Sequence, residues 1–267
     1  MMEEPYRWVE AVANRREYVE QQLAGGSPIA AVSCREGILL LTLGRQRRKL
    51  FEIYDRIAMG AIGHPGDIER LRMGAIELAS SEGFLRSAAD VSLRRLADFG
   101  LSPLLKNSFE QVCGPPFLVR MLFAEVGRDA GSDVFLRMEY DGASHLNGGG
   151  FGGAFEHYGV VAGSVVVAGR MEHFLRSICT VEMSWEEAVG VLFHAWVLGD
   201  MGSREEKGEA EPAEVRVHAL ERLGVLRPEV ALLERSPQPA MAWRMLPTEG
   251  LRGMMEAGLG SWVKTGS

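Results

Sequence analysis

Residues 47–63 read RRKLFEIYDRIAMGAIG, and HPGDIERLRMGAIELA follows at 64–79. Three basic side chains end at Lys49, and an alternating run of Leu50, Phe51, Ile53, Ile57, Met59 and Ala61 follows, which predicts a strand pair. Pro65 then opens a helix predicted over 65–82, with Ile68, Leu71, Ala75 and Leu78 on its inner face. Lys49 therefore stands where a loop becomes a sheet. A catalytic lysine, a docking cation and a solvated side chain are all compatible with that place.

Working outward, residues 6–24 carry Trp8, Val12, Val19 and Leu23 on one helical stripe, stopped by Gly25-Gly26. SPIAAVSCREGILLLTL (27–43) predicts two strands turning at Glu36-Gly37, with Ile29, Ala31, Leu39 and Leu41 on one face. Downstream, a helix is expected over 92–112 with a kink at Pro103, then strands in FLVRMLFAEV (117–126) and SDVFLRMEYDG (132–142). The glycine-rich LNGGGFGGAF (146–155) reads as a loop. It lacks the GK[ST] ending of a phosphate cradle. HYGVVAGSVVVAG contributes a strand, and two helices carry Val167, Met171, Phe174, Leu175 and Ile178, then Trp185, Ala188, Leu192, Phe193 and Trp196. GSREEKGEAEPAE (202–214) reads as a charged loop, and RPEVALLERS with AMAWRMLP closes the chain as a strand pair. This segregated order predicts an α+β sandwich in which helix pairs cover two packed antiparallel sheets.

Composition narrows the function classes. The chain has 267 residues, 46% of them hydrophobic, and a net charge of −7, which argues against a phosphate-binding face for nucleic acid. No apolar run is long enough for a membrane helix. Cys34, Cys113 and Cys179 form no CxxC pair, which fits a reducing cytoplasm. The histidines at 64, 145, 157, 173, 194 and 218 show no metal-ligand spacing, so neither a metal nor a cofactor is expected.

GGSPIAAVSCREGILLLT (25–42) followed by KLFEIYDRIAMGAIG (49–63) and a long helix resembles the start of a proteasome core subunit. The likeness continues through RMEYDG (137–142), YGVVAGS (158–164) and LGVLRPEVALLERS (223–236). It spans about Arg7 to Leu246 and is most specific over 18–83. It implies a four-layer αββα sandwich of the N-terminal-nucleophile hydrolase type, the architecture that the block order predicts independently. The implied parts are a gate segment and ring-face helix (1–24), a sandwich domain (25–246) with a charged insertion near 202–222, and a C-terminal tail (247–267).

Catalytic β-type subunits of that family use an N-terminal threonine whose free amine serves as base. Ser27 matches that place here, but a helix-forming segment precedes it, and Leu43 stands where an acidic partner would be expected. A helix before the first strand fits the non-catalytic α-type, and the acidic start fits its bacterial, actinobacterial form. Met1, Met2, Glu3, Glu4, Pro5 and Tyr6 would then form the gate at the axial pore. Tyr54-Asp55-Arg56 has the letters of the usual gate signature but lies in the strand region. In α-type subunits the lysine matching Lys49 receives the C-terminal carboxylate of an activator ring, with Gly26 and Gly63 as the pocket glycines. The implied partners are a seven-membered α-ring, β-type subunits, an ATPase activator and unfolded protein in transit. Two alternatives stay open: a Ser27 hydrolase of the same fold, and a free-standing sandwich-fold binding protein.

Overall fold

The computed structural model describes residues 5–111, 114–147, 156–202, 211–236 and 241–261. A helix, Pro5–Leu23 (α1), leads into strands Ile29–Cys34 (β1), Gly37–Gly44 (β2), Leu50–Tyr54 (β3) and Ile57–Gly63 (β4), then helix Pro65–Leu85 (α2). Helical turns Leu93–Leu96 (α3) and Ser102–Glu110 (α4) precede strands Val119–Glu125 (β5), Val134–Met138 (β6), Ser144–Asn147 (β7) and Tyr158–Val161 (β8). Helices Val165–Ile178 (α5), Trp185–Met201 (α6) and Pro212–Val225 (α7), strands Arg227–Glu234 (β9) and Trp243–Met245 (β10), and helix Leu251–Ser261 (α8) complete the chain.

Two five-stranded antiparallel sheets result, in the orders β10-β9-β2-β1-β8 and β3-β4-β5-β6-β7. Ile29, Ala31, Ile38, Leu40, Leu122 and Phe135 fill the space between them. The outer face of the first sheet packs Val32, Leu39 and Leu41 on Met171, Leu192 and Trp196 of the helices above. Met59, Met121 and Phe123 of the second sheet meet Leu71, Ala75 and Leu101 on the other side. The fold is therefore the predicted four-layer αββα sandwich. None of the described helices is long and apolar enough to cross a membrane.

The β1–β2 faces differ from expectation. A tight turn pairs Cys34 with Gly37, which sets Ala31 opposite Leu40 and Val32 opposite Leu39. Directly paired residues share a face, so Ile29 and Ala31 lie with Ile38 and Leu40 inside the sandwich. Leu39 and Leu41 point to the helices instead.

Other corrections concern the helices. On α2 the stripe runs Ile68, Leu71, Ala75 and Ala79, leaving Leu78 40% exposed. Trp8 on α1 is likewise 40% exposed, so only the second half of that helix, Val19 and Leu23, is buried. The helix expected over 92–112 is interrupted by a π-helical stretch, Ala97–Leu101, before α4. Pro103 in the first turn of α4 has no N–H to donate backward, and the widened turn absorbs that missing bond. His64 caps α2, its ring nitrogen accepting from the Gly66 N–H at 3.2 Å.

Three elements were not foreseen. β7 pairs Leu146 with Leu136 and His145 with Arg137, so the strand reaches into the start of the glycine-rich segment, whose residues 148–155 lie outside the description. Residues 203–210 of the charged insertion also lie outside it, but 212–225 form α7, with Val215, His218, Ala219 and Leu223 buried. The C-terminal tail contains α8, whose Leu251, Met255 and Leu259 pack into the core. There Gly190 of α6 and Gly258 of α8 approach so closely that a Cβ on either would overlap the other.

Candidate functional site

The ends of β1–β4, the α1–β1 link and the C-terminal ends of α6 and α7 enclose a cleft of about 920 Å³. Gly26, Ser27, Lys49 and Gly63 all line it, with Asp200 and Arg222 as a far wall. The structure thus brings together the three residues expected to form a docking pocket.

Lys49 ends the β2–β3 loop, and its position is fixed through the backbone. The Glu229 carboxylate on β9 accepts from the Lys49 N–H at 3.0 and 3.2 Å and from the Leu50 N–H at 2.9 Å. With its main chain pinned, the half-buried side chain reaches across the cleft floor. Nζ donates to the Ser27 and Leu43 carbonyls, each at 3.4 Å. Among the described residues no carboxylate lies within ion-pair distance of it, although Glu229 and Asp200 act on it from farther away. Burial pushes its pKa down to about 8, with those two carboxylates only partly opposing the shift. Burial likewise raises the Glu229 pKa, against the pull of the two N–H donors and of Arg48 and Lys49. The arrangement is a cation with two weak carbonyl partners, open to an incoming anion.

The two glycines serve it differently. Gly63 has φ +129°, and a Cβ there would overlap the Leu118 carbonyl oxygen, so the β4–β5 backbone itself demands glycine. At Gly26 a Cβ would sit 3.0 Å from the Leu23 carbonyl oxygen and 3.1 Å from Ile62 Cδ1, a contact tight enough to push the α1–β1 link away from β4.

No protein-family model matches the chain. Among curated proteins, the chain is 30% identical over 245 residues to "Proteasome subunit alpha" of Streptomyces griseus subsp. griseus, covering 90% of this chain and 83% of the relative. The chain belongs to the proteasome alpha subunit family. The protein of the same name from Saccharomonospora viridis is 27% identical over 248 residues, 91% of this chain and 86% of the relative. With the Nocardioides sp. relative the match is 33% over 131 residues, 48% of this chain and 51% of that protein. The chain thus spans about half the length of some curated relatives that it matches and most of others.

Among the described residues, the Ser27 hydroxyl is engaged by a backbone carbonyl and an indole N–H, not by a side-chain base. Its hydroxyl donates to the Leu43 carbonyl at 2.6 Å and accepts from Trp196 Nε1 at 3.3 Å. Lys49 Nζ contacts the Ser27 carbonyl rather than its hydroxyl, and Leu43 itself is buried in the core. Ser27→Ala should therefore leave peptide hydrolysis by any particle into which the chain assembles within about twofold of the parent. Losing a true nucleophile would cost several orders of magnitude in kcat, a difference that a fluorogenic peptide assay resolves.

Of the gate residues, Met1, Met2, Glu3 and Glu4 lie outside the described residues, while Pro5 and Tyr6 are the first residues of α1. The helix thus starts at Pro5, one residue before the expected start, because proline fits the first turn, where no N–H is needed. The structure adds Glu229 and the arginines at 45, 47 and 48, to which the sequence reading gave no role.

Proposed function

We propose that the chain is a non-catalytic α-type subunit of a proteasome core particle. Seven copies form an outer ring that stacks on β-type subunits, admits unfolded protein, and docks an ATPase activator through its C-terminal tails. The observation that carries this reading is the half-buried Lys49 ammonium, held by the Glu229-pinned loop and partnered, among the described residues, by two backbone carbonyls. A terminal carboxylate supplies the missing charge, and the two glycines let the α1–β1 link and the end of β4 close up around the cleft. Co-expression with a threonine-type β-subunit tests the reading. A stacked-ring particle containing both chains is expected, whereas a chain that stays monomeric in the presence of the β-subunit rules it out.

The gate reading would set residues 1–4 (MMEE), which lie outside the described residues, ahead of α1 at the axial pore of such a ring. There their bulk would obstruct passage and their carboxylates would repel one another. Deleting residues 2–4, which leaves Pro5 to start α1, should speed degradation of an unfolded protein such as casein severalfold without any activator. Hydrolysis of a tripeptide should change less, since small substrates pass a loose plug. Equal casein rates before and after deletion would remove the gate from this proposal.

A further inference from the structure

The chain carries 29 Lys and Arg against 36 Asp and Glu, yet RQRRK at 45–49 places four cations in five consecutive positions. All five line the cleft, and Arg45, Gln46, Arg47 and Arg48 are exposed.

The other charges of the cleft are already engaged. Arg222 holds Asp200 through Nε at 2.5 Å and Nη2 at 2.8 Å, and His218 Nε2 meets the same carboxylate at 2.7 Å. Arg72 holds Glu69 at 2.8 and 2.6 Å. Glu229 accepts from two backbone N–H groups, with Arg48 and Lys49 acting on it from farther away. Among the described residues, by contrast, Arg45, Arg47 and Arg48 form neither an ion pair nor a side-chain hydrogen bond. An acidic protein thus keeps a local excess of positive charge at the mouth of one cleft.

We propose that this rim selects tails bearing carboxylate side chains in the residues just before their C-terminus. The inference rests on the reading of Lys49 as the seat of the terminal carboxylate. With that group at Lys49, an extended tail rises about 3.3 Å per residue, so the two to four preceding residues pass along the loop at 45–48. Guanidinium forks match carboxylates bidentately, and exposed pairs of this kind govern capture and partner choice more than the depth of binding. The partner is therefore an activator with an acidic C-terminal segment, not a neutral or basic one.

The test uses the assembled full-length chain and fluorescein-labelled peptides ending Glu-Asp-Glu-Ala-Leu or Gln-Asn-Gln-Ala-Leu, each as free acid and as amide. At low salt the acidic free acid should bind about tenfold tighter than its neutral counterpart, and physiological salt should shrink that margin. Arg45→Gln, Arg47→Gln and Arg48→Gln combined should erase the margin, with a much smaller loss for the neutral free acid, whose terminal carboxylate still meets Lys49. Equal binding of the two free acids by the parent ring overturns the rim's role but leaves docking at Lys49 standing. A margin that survives the triple substitution overturns it as well, and so does failure of the triple variant to form the ring, which would make these arginines subunit contacts. Amides that bind as well as free acids overturn the docking reading itself, and this inference with it.

Discussion

Replacing Lys49 with methionine is expected to abolish measurable docking of a C-terminal tail while leaving the subunit folded. Removing one member of a part-buried charge pair costs about 2–5 kcal/mol, roughly thirty-fold or more in affinity for a single tail. A ring that engages several tails at once compounds the loss. The folded state should not suffer in parallel. Burial holds the Lys49 pKa near 8, below the ordinary lysine value of 10.5, so its charge opposes folding below pH 8. That opposition fades as pH rises from 8 toward 10.5, because there the unfolded chain binds the proton that the folded chain has lost. Methionine removes the desolvated charge and keeps the stem's apolar packing, so thermal stability at pH 7 should be equal or higher. Polarisation of a labelled tail peptide and a melting curve on the same ring separate the two effects. Retained binding in Lys49→Met would remove the lysine from the docking reaction.

Docking at Lys49, as proposed, should depend on pH. Only the ammonium attracts a carboxylate, so tail affinity should be nearly flat below pH 7 and fall roughly tenfold between pH 7 and pH 9 as the free ring loses that proton. Lys49→Arg, which stays charged throughout, should flatten the profile whatever its absolute affinity. A parent profile that is flat to pH 9 would place the carboxylate elsewhere.

Sequence patterns were legible where one period dominated. β3–β4 and β5–β6 announced themselves by alternation and turn residues, and α5 and α6 by their helical stripes. The faces of β1 and β2 were not legible for a physical reason. A sheet covered by helices on one side and by a second sheet on the other buries both faces, so IAAVSC and GILLLTLG carry no polar alternation to set the register. α7 was hidden because glutamates at 205, 206, 209, 211 and 214 dominate its approach. Its true signal was the spacing of Val215, Ala219 and Leu223. At the site, the resemblance pointed to Lys49, Gly26 and Gly63 together. It could not show that Glu229, 180 residues away in sequence, holds the loop in place. Nor could it show that RQRR faces the same cleft. Contacts at that separation are a property of the folded topology, not of any local pattern.

The largest stability effect should come from Arg120→Met. Arg120 lies on β5 and is only 2% exposed, yet every arm of its guanidinium is engaged. Nε donates to Glu139 at 2.5 Å, Nη1 to the carbonyls of Ala162 and Gly163 at 2.8 and 3.0 Å, and Nη2 to both oxygens of Glu20 at 2.9 and 3.1 Å. Tyr140 adds a hydroxyl hydrogen bond to Glu20 at 2.9 Å. Burial opposes the charge, but the two carboxylates more than restore it. This one side chain therefore ties α1, the second sheet and the segment after β8 together. The tie matters most for α1, whose own apolar anchorage is small: Val19 and Leu23 against Phe109 and Tyr140. Methionine would leave two buried carbonyls without their donor and Glu139 with Arg137 alone, at 3.3 Å, a loss of about 3–5 kcal/mol when one partner of a buried charge network is removed. Hydrogen exchange should show α1 amides losing protection first and furthest, with the sheets less affected. Because α1 is the ring-face helix of the proposed assembly, ring formation should fail together with α1 protection. Glu20→Gln, which keeps the acceptor and loses only the charge, should cost less and retain the ring. If Arg120→Met melts with the parent and α1 keeps its protection, the helix is held by packing and not by this network.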